Sequence, residues 1–274
     1  MVKDRYVGAS ALITGAGSGI GLATAIQLEQ EGSNLALFDR DERSLEQAKT
    51  EIEKSGVSVS TFVVDVADSE AFNAGIQSAI KTLGSIDVLI SNVGVAGRIQ
   101  PIESLSVADW NNVLNITLTS VFIATKAVLP HMVVKGGGAI VNTASVSGVA
   151  ADEGLSAYNA AKAGVINFTR TTALENSKHN IRANCVCPGA IATPPVVQMF
   201  EGSGSPGFAK RKAAMEAAHP IGRMGRPEEV AQVICFLASR EASFVSGAAY
   251  CVDGGLLSAT GMPPLPVGVY TPSD

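Results

Sequence analysis

Ser10–Ala11–Leu12–Ile13–Thr14–Gly15–Ala16–Gly17–Ser18–Gly19–Ile20–Gly21 is the stretch that decides the fold. An apolar run too short for a helix feeds directly into a glycine-rich turn, and a helical pattern follows from Ile20 to Gln30. This is a strand, a tight turn and a helix in immediate succession. Glycines let the backbone turn sharply and come close to a ligand, while the first N–H groups of the helix and its dipole favour an anion such as a pyrophosphate. The spacing is not G-x-G-x-x-G, nor does it hold the Gly-Lys-Ser/Thr of a P-loop. By itself the turn is a modest nucleotide signal, and the rest of the chain must carry the weight.

Outward from this turn the same alternation repeats. Short apolar runs are expected at Ala9–Thr14, Asn34–Phe38, Val57–Val64, Ile86–Ser91, Ala139–Thr143, Ile181–Val186 and Ala248–Val252. Helical patterns lie between them, near 41–54 and 69–83, as one long helix from Ser106 to Val134, and at 156–178 and 227–238. Apolar strands separated by helices predict an α/β fold: a doubly wound, Rossmann-type parallel sheet of about seven strands with helices on both faces. No composition break marks a linker, so residues 1–257 are read as one dinucleotide-binding unit. Within it, Pro194–Pro195 and the Gly/Ser-rich stretch Gly202–Gly207 suit a flap over 190–220, and residues 258–274 read as an extended tail.

Composition excludes several functions. The 274 residues carry a net charge of −5 and only 16% charged side chains, which gives no footprint for nucleic acid or an anionic membrane. The one compact basic run, Lys210–Arg211–Lys212, reads as a solvated helix face. No stretch of 18 uncharged apolar residues occurs and no apolar leader is visible, so the expectation is a cytoplasmic protein without a membrane span. Cys185, Cys187, Cys235 and Cys251 read as buried free thiols. His131, His179 and His219 read as surface or helix-end residues without partners at ligand spacing, so no metal is expected.

Candidate site residues fall where strands end. Asp39 closes the second strand, 24 residues beyond Gly15. There a carboxylate can accept hydrogen bonds from both hydroxyls of an adenosine ribose and repel a 2′-phosphate. A helix N-cap is the other reading of Asp39, and Arg40 beside it could receive a 2′-phosphate. Asp65–Val66 follows the third strand and Asn92–Val93–Gly94 the fourth, both at the sheet edge where open α/β folds bind ligands. Ser145 lies just beyond the fifth strand. Tyr158 and Lys162, four apart in a helix, share one face.

Taken together, Thr14-Gly15-x-x-x-Gly19-x-Gly21, Asp65, Asn92-x-Gly94, Asn115, Ser145, Tyr158-x-x-x-Lys162 and Pro188–Gly189 with Thr193 resemble the classical short-chain dehydrogenase/reductase family over roughly residues 6–257. One departure stands out: Ser91–Asn92–Val93–Gly94 occupies the place where that family usually has Asn-Asn-Ala-Gly. The resemblance implies a catalytic tetrad of Asn115, Ser145, Tyr158 and Lys162 and a dimeric or, as favoured here, tetrameric assembly. It also implies a nicotinamide dinucleotide held by Gly15, Ser18, Gly19, Ile20, Asp39, Asp65, Val66, Asn92, Gly94, Tyr158, Lys162, Pro188, Gly189, Ile191 and Thr193. Asn115 would hold a water linking Lys162 to solvent.

The chemistry expected is hydride exchange between NAD(H) and a secondary alcohol or ketone. A free tyrosine, with a pKa near 10, is a poor base at neutral pH. The Lys162 ammonium one turn away is expected to lower it, making Tyr158 the acid/base, while the Ser145 hydroxyl steadies the substrate oxygen. Val95, Ile99, Val146, Val149, Leu155, Val196, Val197, Met199, Phe200 and Phe208 are the expected pocket wall, with Arg98 the one nearby cation. Such a wall suits an alicyclic, aromatic or steroid-like substrate. The rival readings are an NADPH-dependent 3-oxoacyl reductase, against which Asp39 speaks, and a redox-dead nucleotide-binding protein, against which Ser145, Tyr158 and Lys162 speak.

Overall fold

The structure is a computed structural model describing residues 4–52, 56–201 and 206–258. The strands are β1 Ser10–Thr14, β2 Asn34–Asp39, β3 Val59–Val63, β4 Val88–Ser91, β5 Gly138–Thr143, β6 Ile181–Pro188 and β7 Ala249–Val252. All pair in parallel, in the order β3-β2-β1-β4-β5-β6-β7. Parallel neighbours need crossovers, and these are α1 Gly19–Gln30, α2 Glu42–Ile52, α3 Ser69–Leu83, α4 Val107–Leu114 with α5 Ser120–Lys135, α6 Ser156–Asn176 and α9 Pro227–Ala238. The flap segment carries α7 Pro194–Glu201 and α8 Pro206–Ala218.

Burial on both faces accounts for the unbroken apolar strands. Every residue of β1 and β4 is buried. Ala11 and Ile13 face a layer that includes Leu28 of α1, Leu45 of α2 and Ile234 of α9. Leu12 faces the opposite layer, with Phe72 and Ile76 of α3 and Val128 of α5. Phe38 stacks on Phe62 at 4.7 Å and meets Phe72 edge-on at 6.1 Å, which fixes β2, β3 and α3 together. Strand order reverses between β1 and β4. Their connections leave to opposite sides there and open a crevice at the C-terminal edge.

Several expectations are corrected. The long helix expected from Ser106 to Val134 is interrupted by a π-turn at Asn115–Thr119. In it the Ser120 N–H reaches back five residues to the Asn115 carbonyl, and no single-residue propensity signals this. The run Val107–Lys135, although it carries Asp109, Lys126 and Lys135, is also long and apolar enough to cross a membrane by length and composition. Half of its most apolar window is buried, and Ala124, Val128 and Met132 pack into the core beneath β4 and β5.

Pro194 and Pro195 open a helix, α7, within the expected flap segment, as suits the first turn of a helix. Cys251 is exposed, unlike the other three thiols. Of the two readings of His219, the helix end holds, since it directly follows α8, and the side chain there is buried. The expected tail beyond Ser258, the stretch 202–205 and the side chains of Met199, Phe200 and Phe208 lie outside the described residues.

Candidate active site

The crevice is a cavity of about 670 Å³. Its floor begins at the β1–α1 turn, where Gly15 and Gly19 take φ of +65° and +54°, conformations that side chains disfavour. A Cβ on Gly21 would stand 2.0 Å from the Gly15 carbonyl oxygen, so only glycine lets the helix start this close to the strand. Ser18 precedes α1 without a capping side-chain bond, and no acidic residue sits in the first turn. No side chain therefore caps the start of α1, and its first N–H groups face the crevice as an anionic phosphate requires.

Asp39 lines the crevice at the end of β2. One carboxylate oxygen accepts the Gly17 N–H at 3.1 Å and the other accepts the Asp41 N–H at 3.2 Å. Asp41, not Asp39, accepts the Ser44 N–H at 3.2 Å in the first turn of α2. The N-cap reading of Asp39 therefore gives way to one in which it braces the glycine turn and faces the ligand crevice. Arg40 lines the same crevice.

Asp65 turns its carboxylate to the Ala67 N–H at 2.9 Å, with Val66 beside it in the wall. Asn92 is a staple. Its N–H meets the Thr14 hydroxyl at 3.0 Å, and its side-chain oxygen accepts the Thr143 hydroxyl at 3.2 Å. A Cβ on Gly94 would come within 2.9 Å of Lys162 Nζ, so this glycine makes room for the amine.

On the far wall Ser145 follows β5, and Tyr158 and Lys162 project from the first turns of α6. Lys162 is buried and donates from Nζ to the Thr143 carbonyl at 2.6 Å. Burial lowers its pKa to about 8. Its Nζ lies 5.6 Å from the centre of the Tyr158 ring, so it faces the ring and is anchored to backbone. The Tyr158 pKa is accordingly raised: burial is the largest cause, the Ser145 hydroxyl opposes it by favouring the phenolate, and the Asp152 carboxylate adds to the rise. The expected lowering of Tyr158 by Lys162 is corrected: desolvation decides the direction, and the opposing pull comes from the Ser145 hydroxyl.

Pro188 ends β6 in the crevice wall, with Gly189, Ile191 and Thr193 beyond it. The buried His219 holds this exit: its Nε2 accepts the Ala190 N–H at 3.1 Å, while Nδ1 lies 2.7 Å from the Met215 carbonyl oxygen. Thr193 closes over the glycine turn, where a Cβ on Gly19 would come 3.0 Å from its methyl.

Every expected site residue but Asn115 lines the crevice. Asn115 sits in the π-turn and donates its amide to the Ala67 carbonyl at 3.0 Å, tying α4 to the loop after β3. Among the expected apolar wall, Val95 and Val196 line the crevice, whereas Ile99 and Val149 are exposed. Arg98 is paired, loosely, with Asp109 at 4.0 Å. Sequence reasoning missed Asp152 and the anchoring roles of Thr143 and His219, which no spacing signals.

The glycine cradle, the uncapped helix and the run of wall residues from Asp39 to Tyr158 fit an extended dinucleotide with a reacting end at Ser145 and Tyr158. A doubly wound sheet with this crevice at its strand-order reversal defines a Rossmann-type nucleotide-binding protein. The chain belongs to the classical short-chain dehydrogenase/reductase family, whose members are oxidoreductases.

The match to a family model described as enoyl-(acyl carrier protein) reductase covers residues 15–257. Cyclohexanol dehydrogenase of Acinetobacter sp. (strain SE19) is 38% identical over 258 residues, 94% of this chain and 98% of that one. The 3-oxoacyl-(acyl-carrier-protein) reductase FabG of Thermotoga maritima is 39% identical, covering 92% of this chain and 99% of that one. The crystal structure of levodione reductase superposes with a TM-score of 0.89 at 36% identity, covering 93% of this chain and all of that one.

Proposed function

We propose that this protein is an NAD-dependent secondary alcohol dehydrogenase or ketone reductase acting on an alicyclic or similarly apolar substrate. The observation that carries the reading is the convergence of Ser145, Tyr158 and Lys162 on one end of the dinucleotide crevice. A bound nicotinamide dinucleotide would take the hydride from the carbinol carbon or return it to a ketone. Gly15, Ser18, Gly19 and Ile20 would hold its phosphates, and Asp39 its adenosine ribose. Asp65, Val66, Asn92 and Gly94 would line its adenosine and nicotinamide ribose path, with Pro188, Gly189, Ile191 and Thr193 beside the carboxamide. Tyr158 takes or gives the hydroxyl proton, Ser145 steadies the substrate oxygen, and Lys162 holds the nicotinamide ribose. Asn115 serves the relay water through its place in the π-turn.

Asp39 in the crevice supports NAD, because a 2′-phosphate there would face a carboxylate. Val95, Ala96 and Val196 in the wall support an apolar substrate, as do relatives named for cyclohexanol and cis-4-hydroxycyclohexanecarboxylate. An NADPH-dependent 3-oxoacyl reductase is the second reading, supported by Arg40 in the same wall and by the similarity to FabG. Residues 1–257 act as one catalytic unit in this reading, with 190–220 as its flap. The buried thiols Cys185, Cys187 and Cys235 suit the reducing cytoplasm.

Assay of cyclic and aromatic alcohols with NAD and with NADP tests the reading. The wild-type oxidation rate is expected to rise with pH, since burial holds Tyr158 protonated above the usual tyrosine range. Tyr158→Phe is expected to abolish turnover while leaving NADH affinity within a few-fold. Turnover retained in that variant removes the acid/base assignment.

A further inference from the structure

Residues 189–193, which carry the chain out of β6 along the crevice, are a run of backbone donors, and all but one are engaged. The Gly189 N–H donates to the Val252 carbonyl at 3.1 Å and the Ala192 N–H to the Gly225 carbonyl at 2.8 Å. The Thr193 N–H donates to the Ile191 carbonyl at 2.7 Å, and the Ala190 N–H to His219 Nε2 at 3.1 Å. Among the described residues, the Ile191 N–H has no acceptor. Its direction follows from the same peptide group. The Ala190 carbonyl accepts the Gly225 N–H at 2.9 Å, and in a trans peptide the N–H points opposite to the C=O. The Ile191 N–H is therefore turned away from Gly225. Ile191 is buried and lines the crevice, where an unpaired donor is a seat for a ligand acceptor.

His219 acts on this segment from the other side. It is buried in a cavity of about 300 Å³ that Ala190, Ile191 and Gly225 also line, with Arg223, Glu229 and Asp253 in the same walls. A Cβ on Gly189 would come within 2.8 Å of His219 Nε2, so that glycine admits the ring. The partners fix one tautomer. An amide N–H only donates, so Nε2 is bare toward Ala190; the Met215 carbonyl, 2.7 Å from Nδ1, only accepts, so Nδ1 carries the proton. The neutral ring is thus a peg with one end on α8 and the other on Ala190. Ala190 is held at both its polar groups, the N–H by His219 and the C=O by Gly225, which leaves the next peptide little freedom to rotate.

We propose that His219 is a positioning residue for the nicotinamide: by holding the Ala190 N–H it aims the Ile191 N–H at the carboxamide oxygen of a bound dinucleotide. The seating of the carboxamide at this wall belongs to the proposed function, and the part assigned to His219 rests on it.

The two ends of the ring can be cut separately. His219→Asn keeps a donor for Met215 near the place of Nδ1 and loses the acceptor for Ala190. His219→Gln keeps an acceptor near the place of Nε2 and loses the donor for Met215. Calorimetry on the purified protein then compares NADH with ADP-ribose, which has no nicotinamide. His219→Asn should weaken NADH roughly fivefold or more, about the worth of one hydrogen bond, and leave ADP-ribose within about twofold. His219→Gln should bind both ligands as the wild type does.

Equal loss of NADH affinity in the two variants overturns the inference, because bracing α8 would then be the whole role of the ring. A loss that ADP-ribose shares, or undiminished NADH affinity in His219→Asn, overturns it as well. If His219→Asn does not fold, His219→Gln decides alone: wild-type NADH affinity supports the inference and reduced affinity sinks it. A wild type that binds neither ligand removes the dinucleotide reading and this inference with it, a failure visible before any variant is made.

Discussion

Asp39 shows how one side chain serves two ends. Its carboxylate braces the glycine turn through the Gly17 N–H and also stands in the crevice wall beside Arg40. A 2′-phosphate must meet both groups, and the carboxylate is the one fixed by hydrogen bonds. Asp39→Ala should weaken NAD binding and narrow the gap to NADP, measured as the two dissociation constants. An unchanged ratio would assign the choice to Arg40. Asp39, Ser145, Tyr158 and Lys162 were legible in the sequence because each sits at a strand end or on one helix face. What the sequence concealed was the orientation of Lys162. Spacing gives its face of the helix but not its burial or its bond to the Thr143 carbonyl. The bond from the Ala190 N–H to His219 was hidden for a related reason: it joins two loops, where no periodicity constrains direction.

At the scale of elements, the meeting of β1 and α1 depends on the missing side chain of Gly21. Alanine there gains up to about 1 kcal/mol of helix propensity, but its methyl would overlap backbone, and overpacking costs about 1–3 kcal/mol where neighbours can move. A carbonyl oxygen 2.0 Å away cannot move without opening the turn. Gly21→Ala should therefore lower the melting temperature and weaken dinucleotide binding together; a stabilised variant with intact binding would show that the turn tolerates rearrangement. The strands and the helices α3 and α9 followed from apolar runs and helical patterns, and the structure adds the capping that the sequence reading did not use. Asp68, for instance, caps α3 by accepting the Glu70 and Ala71 N–H groups. The π-turn did not follow, since its hydrogen-bond register depends on packing between α4, α5 and the loop after β3 rather than on local composition.

The whole molecule leaves apolar surface uncovered. Phe122 and Phe168 meet edge-on at 6.2 Å on the outer faces of α5 and α6, and Phe122, Val134 and Leu174 are exposed there. At the β7 side of the sheet Phe244 is fully exposed and Tyr250 partly so. Patches of this kind on a chain with few charges predict self-association, with a tetramer as the expected assembly. Light scattering at micromolar concentration should give a mass of several copies, and Phe122→Glu should reduce it. A wild-type mass of one chain would remove the proposal.

The π-turn that seats Asn115 has a consequence for how this fold could be edited. It amounts to one surplus residue between α4 and α5. Deleting a residue there would fuse the two helices into a straight rod with better local hydrogen bonding. It would also spin α4 by about 100° around the shared axis. Val113, now wedged against Gly97 and among the side chains that pack on Tyr158, would swing out of that seat. The shorter chain would hold the tidier helix and lose the wall its tyrosine leans on.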